Sequence, residues 1–306
     1  MYGVIAQKLA KGRVIILDGG TGTEIQKQGA PMHGETWCAE VNITHPHIVQ
    51  AVHESYIAAG ADIIIANTFA TSPLLFNALG RDTDVAKIDK AAVDIARRAR
   101  RDRAIPVAGS FSTMRPVAHA SDRTLKQREW SREDAMPLMR RKAEALAEAG
   151  CDLIMMEMMR DADYSLWATE AAVATGLPVW VGLSTERRDD GKLAGFGRQD
   201  WVLDDIVSPL MSAGAQVCSV MHTSPNDTGE ALDIVRRIWS GPLGAYPESG
   251  YFKMPDWQFV DIIPPEELMV KAREWRRKGV TLFGGCCGIG PAHIRALADA
   301  FKEEPV

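Results

Sequence analysis

The chain has 306 residues, of which 46% are hydrophobic and 25% charged, the balance of a soluble globular protein. A net charge of −5 argues against nucleic acid or another polyanion as partner. No apolar run approaches the roughly 20 residues that cross a bilayer, so no membrane association is expected. Residues 1–7 lack the charged, apolar and cleavage regions of a secretory leader, and a cytoplasmic location is expected. The five cysteines are Cys38, Cys151, Cys218, Cys286 and Cys287. An odd count without an export signal argues against a disulfide framework and for ligands, nucleophiles or small core residues.

Along the chain, eight short runs rich in Val, Ile and Leu recur: 14–18, 62–67, 105–110, 152–157, 179–184, 217–222, 243–246 and 280–283. Their hydrophobicity is continuous rather than alternating, as in parallel strands buried on both faces. Amphipathic stretches of helical period lie between them, at 47–59, 133–149 and 266–278. Gly60, Gly150, Gly176, Gly214 and Gly279 stand just before the next strand, where helices end. The joints Ala59-Gly60-Ala61-Asp62, Ala149-Gly150-Cys151-Asp152 and Ala213-Gly214-Ala215-Gln216 form a weak internal repeat. The cluster Arg97, Arg98, Arg100, Arg101 and Arg103 ends a predicted helix and faces the negative end of its dipole. Strand–helix alternation repeated eight times predicts an α/β fold, a single (β/α)8 TIM barrel forming one domain over residues 1–306. A doubly wound sheet would need a nucleotide-binding glycine loop after the first strand, and Gly19-Gly20-Thr21-Gly22-Thr23 resembles one only loosely.

Barrel chemistry sits at the C-terminal ends of the strands. Those ends are Asp18-Gly19-Gly20, Asn67-Thr68-Phe69, Ser110-Phe111-Ser112, Glu157, Ser184-Thr185, His222-Thr223, Tyr246-Pro247 and Cys286-Cys287. In Gly284-Gly285-Cys286-Cys287-Gly288 the adjacent cysteines are poorly placed to bond each other. Both can face one metal ion if the backbone bends, and flanking glycines tolerate the positive φ of such a bend. Strand six offers two candidate third ligands, Cys218 and His222. Cys218 lies about 13 Å down the strand from His222, at roughly 3.3 Å per residue, and shares its parity, so both could point inward at different depths. Only His222 is at the rim beside the cysteines. His222, Cys286 and Cys287 make an acceptable zinc set with an open fourth position, and Cys218 reads as a core residue. Zinc rich in thiolates suits a soft fourth ligand, and a thiol bound there persists as thiolate at neutral pH. The pattern favours alkyl transfer to a thiol over activation of water.

With these residues assembled, the chain resembles the homocysteine S-methyltransferase family over nearly its whole length. The resemblance is carried by Leu17-Asp18-Gly19-Gly20-Thr21-Gly22-Thr23, Ala66-Asn67-Thr68-Phe69, Met156-Glu157-Met158, Thr223-Ser224-Pro225, Glu248-Ser249-Gly250 and Gly284-Gly285-Cys286-Cys287-Gly288 followed by Pro291-Ala292-His293-Ile294. It implies a (β/α)8 fold, a catalytic zinc, and methyl transfer from a sulfonium, ammonium or corrinoid-linked donor to homocysteine, giving methionine. It also implies that Cys286 and Cys287 are zinc ligands, that Asp18 and Gly19 help seat the acceptor amino acid, that Glu157 contacts its ammonium, and that Asn67 and Thr68 line the same pocket. Met221-His222 stands where the family usually has Asn-Cys, so His222 takes the place of the usual first cysteine. Met158 and Met159, Gly288-Ile289-Gly290-Pro291 and the loop 110–116 also depart from the family's usual residues.

A sulfonium such as S-methylmethionine, or a betaine-like ammonium, is the expected donor, because the chain carries no cobalamin or folate domain. Two alternatives stay open: a diverged barrel acting on another substrate or with a separate corrinoid protein, and a metal-binding protein without catalysis. A homo-oligomer also stays open. Outside the main set, His45 and His47 read as an entry loop with Thr44 as N-cap, and His293 as a surface or capping residue. Trp37, Trp180, Trp201 and Trp257 read as core or subunit contacts. Aromatics of the loop 251–257 could surround a cationic donor, 187–192 reads as an exposed turn, and Gly195-Phe196-Gly197 as a candidate lid.

Overall fold

The computed structural model describes residues 1–117, 129–253 and 257–302. All eight apolar runs form strands: Ile15–Ile16, Ile64–Ala66, Val107–Ser112, Leu153–Met159, Val179–Arg187, Val217–Met221, Leu243–Tyr246 and Val280–Phe283, here strands one to eight. Each pairs in parallel with its neighbours, in the order one-eight-seven-six-five-four-three-two. A parallel bridge between Leu17 and Ile63 joins strands one and two and closes the ring. Closure removes the exposed sheet edge, and helices cover the outside.

Successive residues divide between two cores. Ile15, Leu17, Ile63, Ile65, Met155 and Leu282 fill the barrel. Ile16, Ile64, Val107, Ile154, Val181 and Val220 pack beneath the helices. This two-sided burial is why the runs read as continuous. The amphipathic stretches form Pro46–Ala59, Arg132–Ala149 and Pro265–Arg277, and the five marker glycines all adopt left-handed φ, from +77° to +110°.

Several elements differ from expectation. The helix Pro46–Ala59 is preceded by Tyr2–Ala10, Thr21–Lys27 and Val41–Thr44. Its N-cap is His45 rather than Thr44, and His47 lies in its first turn, because Pro46 presets helical φ at the first position. Tyr2–Ala10 plugs the bottom of the barrel through Ile5, with Tyr2 and Leu9 beside it. Tyr2 there accepts a 3.1 Å hydrogen bond from Trp180 Nε1 and donates one of 2.9 Å to Gln216 Oε1. At the opposite end two antiparallel insertions rise, Leu193–Gly195 with Arg198–Val202 after strand five and Tyr251–Lys253 with Gln258–Val260 after strand seven. No described helix is long and apolar enough to cross a membrane.

Candidate metal centre

Strand six ends at Met221. Val217 and Met221 point into the barrel, while Cys218 and Val220 face the helix layer. Shared parity therefore puts Cys218 outside the barrel wall, not deeper within it, and burial pushes its thiol up to about 12. His222 escapes the same fate because its φ is +42°. That kink turns it into the cavity at the barrel's mouth. Its carbonyl accepts a 2.9 Å hydrogen bond from Ser184 Oγ. The edge of Phe196 meets its ring at 4.8 Å between centroids, and Nδ1 lies 3.0 Å from Glu248 Oε2.

The cysteine turn is stitched to the two neighbouring strand ends, those of strands one and seven. Cys286 N donates to Pro247 O (2.8 Å), Gly285 N to Asp18 O (3.1 Å) and Ser249 N to Cys287 O (3.0 Å). Gly288 supplies the bend, with φ of +81°. Gly284 and Gly285 do not take positive φ as the sequence suggested. They are small because a Cβ would lie 2.6 Å from Leu17 Cβ or 2.1 Å from Ile289 Cγ2. Close approach, not backbone freedom, sets their identity.

One ligand atom each from His222, Cys286 and Cys287 lies within 4.8 Å of the others. Cys286 Sγ is 3.5 Å from His222 Nδ1 and 3.9 Å from Cys287 Sγ. Tetrahedral zinc, with bonds of about 2.3 Å to sulfur and about 2.0 Å to nitrogen, separates two sulfurs by roughly 3.8 Å and a sulfur from a nitrogen by roughly 3.5 Å. The donor set thus fits zinc in spacing and in chemistry. The hydrogen bond from Cys287 and the attraction of His222 hold the Cys286 thiol well below its usual range, while the same bond and burial raise Cys287. One thiolate is already stabilised there.

The other sequence-predicted residues separate into two groups. Gly19, Asn67 and Glu157 line the cavity with the three donors; Asp18 and Thr68 do not. Asp18 lies beneath it, fully buried, with Oδ2 accepting from Ile65 N at 2.8 Å and Oδ1 unpartnered. Burial holds its carboxyl well above the usual range. Thr68 is a fold residue, donating to Ser110 O at 2.8 Å. Asn67 is held by Cys38 O and Asn42 Oδ1, both 3.1 Å from its Nδ2. Glu157 accepts a short hydrogen bond from Ser110 Oγ, and burial pushes its carboxyl up to about 8. A register shift between Met156 and Met159, with φ of +55° at Met158, breaks strand four at this residue.

The space between the lining residues, counted together with open solvent at the mouth, is about 1050 Å³. Trp37, Phe252 and Trp257 form one wall, with centroids 5.8 Å (Trp37–Phe252), 6.0 Å (Trp37–Trp257) and 5.2 Å (Phe252–Trp257) apart. Residues 254–256 of the expected aromatic loop lie outside the described residues, and Tyr251 points to solvent. Trp37 and Trp257, expected as core or subunit contacts, are buried in the core and also line the cavity, and their indole Nε1 atoms lack partners among the described residues. Sequence reasoning missed Arg160, a buried cation on the cavity wall; its signal was a charged side chain three residues past Glu157. It also missed the lining role of Met221, since a strand-end methionine reads as core. Trp37, Met158, His222 and Trp257 combine positive φ with a place in the cavity wall, the clustering of strain expected at functional sites. His293 is not a surface residue but a cap: Gly290 N donates to its Nδ1 at 3.3 Å, and Nε2 meets Ile263 O at 2.8 Å.

Comparison with known proteins agrees with this geometry. Homocysteine S-methyltransferase 4 of Zea mays is 27% identical, covering 95% of this chain and 90% of its own. Betaine–homocysteine S-methyltransferase 1 of Mus musculus is 25% identical, covering 98% and 75%. The metallated form of the homocysteine methyltransferase MmuM from Escherichia coli superposes with a TM-score of 0.75 at 23% identity, covering 98% of this chain and 99% of that one, and supports the fold. The sequence profile described as homocysteine S-methyltransferase matches residues 15–301. A closed barrel, a two-cysteine turn at its mouth and a profile match spanning all eight strands converge on one conclusion: the chain belongs to the homocysteine S-methyltransferase family.

Proposed function

We propose that this chain, acting as one barrel domain over residues 1–306, moves a methyl group from a sulfonium or ammonium donor to the thiol of homocysteine. His222, Cys286 and Cys287 would hold zinc. The observation that carries the reading is the spacing of these donors at the base of an aromatic-walled cavity. Bound zinc would keep the acceptor sulfur as thiolate at neutral pH.

The chain's own residues account for the rest. Glu157 is protonated near neutrality in the empty cavity because burial raises it to about 8. An arriving ammonium stabilises the carboxylate and draws that proton off, so Glu157 selects an amino-acid acceptor. Asn67 and Gly19 line the same cavity, and Asp18 braces the cysteine turn through the bond its carbonyl accepts from Gly285 N. Trp37, Phe252 and Trp257 line the cavity, and a cationic methyl donor placed over their ring faces would be attracted there. Phe196, on the insertion after strand five, packs on His222 and keeps water from the ligand cluster.

The test is methionine formation from homocysteine with S-methylmethionine or betaine, before and after chelation. Turnover lost to chelator and restored by zinc supports the reading. Silence with both donors, with transfer appearing only when a methylated corrinoid protein is added, would transfer support to the corrinoid alternative.

A further inference from the structure

We propose that Arg160 and Thr113 form a carboxylate subsite across the barrel mouth from the cysteines, and that it selects methyl donors bearing an acid group. The inference rests on the methyl-transfer reading above and narrows its donor to onium compounds with a carboxylate.

Both residues line the cavity and both are buried. Each is the first residue past its strand, Thr113 after strand three and Arg160 after strand four. The two strands are paired with Ser112 level with Glu157, so the two residues leave the sheet side by side. Thr113 Oγ1 has no hydrogen-bond partner among the described residues. Its loop is nevertheless fixed: Ser112 Oγ donates to Phe69 O and Ser72 Oγ to Met114 O, both at 2.6 Å. A buried hydroxyl held in place without a partner is costly unless something arriving in the cavity satisfies it.

Among the described residues that line the cavity, Arg160 is the one with a permanent positive charge. Its Nη1 donates to Phe196 O at 3.4 Å, which sets the guanidinium against the insertion after strand five. The adjacent carboxylate, Asp161, accepts from Arg115 Nη2 (3.2 Å), Arg198 Nη1 (2.8 Å) and Ser165 N (3.1 Å). A guanidinium carries five N–H donors, enough to keep its protein contacts and still grip a carboxylate, and the hydroxyl of Thr113 adds a further donor.

The donor, rather than the acceptor, fits this position. Strand order puts strands three and four across the ring from strands seven and eight. Transfer needs the methyl group in line between the acceptor sulfur and the donor's leaving atom. With the sulfur held beside Cys286 and Cys287, the leaving group extends towards strands three and four, where Arg160 and Thr113 stand. The acceptor's ammonium is met one level down, at Glu157 within strand four. The sulfur–methyl bond forms as the onium–methyl bond breaks, and its electron pair leaves with the donor as a neutral thioether or amine.

The experiment compares S-methylmethionine with aminopropyl dimethylsulfonium, and betaine with tetramethylammonium, the second member of each pair lacking the carboxylate. The wild type should prefer the acid-bearing member of the pair it uses by about 10- to 100-fold in kcat/KM. Arg160→Met should abolish that preference by raising KM for the donor, with KM for homocysteine and zinc content unchanged. Thr113→Val should erode it by about 3- to 10-fold, and decides the matter should Arg160→Met fail to fold. Donors without a carboxylate should be used equally by all three proteins. Equal losses with both members of a pair, or a rise confined to KM for homocysteine, would overturn the proposal, the second result placing the acceptor's carboxylate there. A wild type silent with every donor would remove the methyl-transfer reading and this inference with it.

Discussion

Lys142 and Asp89 meet in the helix layer with both side chains fully buried. The ammonium is 2.7 Å and 2.8 Å from the two carboxylate oxygens, 2.8 Å from Thr71 Oγ1 and 3.1 Å from Thr68 O. His222 and Cys287 are also buried and Cys286 is partly so, yet their donor atoms gather at a cavity. The contrast sets a structural polar cluster against a candidate metal-binding one. In the first, the ammonium meets acceptors on all sides inside the protein and ties helices together. In the second, the donor atoms lie within 4.8 Å of one another at a cavity that a ligand can fill.

The sharpest way to break this contrast is to remove a donor from the open cluster. Cys286→Ala should abolish stoichiometric zinc and lower methyl transfer by more than about 1000-fold, while the thermal midpoint measured on metal-free protein changes little. A midpoint collapse without metal would instead make Cys286 a structural residue. The mirror experiment is Lys142→Met, which strands Asp89. It should cost about 3–5 kcal/mol in urea unfolding, leaving zinc stoichiometry intact in the folded fraction. The double variant Lys142→Met with Asp89→Leu should recover much of the loss.

Glu157 sharpens the comparison, being buried like Asp89 but in no ion pair among the described residues. Its folded value of about 8 lies above the usual 4.5, so between these limits the unfolded chain releases a proton that the folded chain keeps. Stability is present at acid pH and declines as pH rises towards 8. Glu157→Gln should remove that decline. In chelator-treated protein the gain should be absent at pH 4 and on the order of 1–3 kcal/mol at pH 8, while in zinc-loaded protein KM for homocysteine rises. Equal stability of the two proteins across this range would contradict the burial argument. The smallest effect is expected at Cys218→Ala, about 1 kcal/mol in denaturant unfolding with zinc retained.

The strands and main helices were legible in the sequence because burial on two faces writes continuous apolar runs and glycine stops. That Cys286, Cys287, Glu157 and Gly19 would meet at one cavity was legible because they stand at strand ends on the same rim of the barrel. His222 was found for a reason that needs amendment: it reaches the cavity through a left-handed kink that strand parity does not predict. Asp18 and Thr68 stood at the right strand ends, but their side chains serve backbone groups of neighbouring strands, and one strand seen alone cannot show that. The aromatic wall was legible only in Phe252 and Trp257 of the loop 251–257; Trp37 joins it from a loop after strand one, which no local pattern signals. Glu248 was visible as part of a motif, but its approach to His222 is a contact between two strand ends.

The most direct measurement is zinc K-edge X-ray absorption of the purified protein, with and without homocysteine. The account predicts one bound zinc with two sulfur neighbours and nitrogen or oxygen in the remaining positions, becoming three sulfurs when homocysteine is added. Protein that takes up no zinc, or whose sulfur count stays the same with saturating homocysteine, would contradict it.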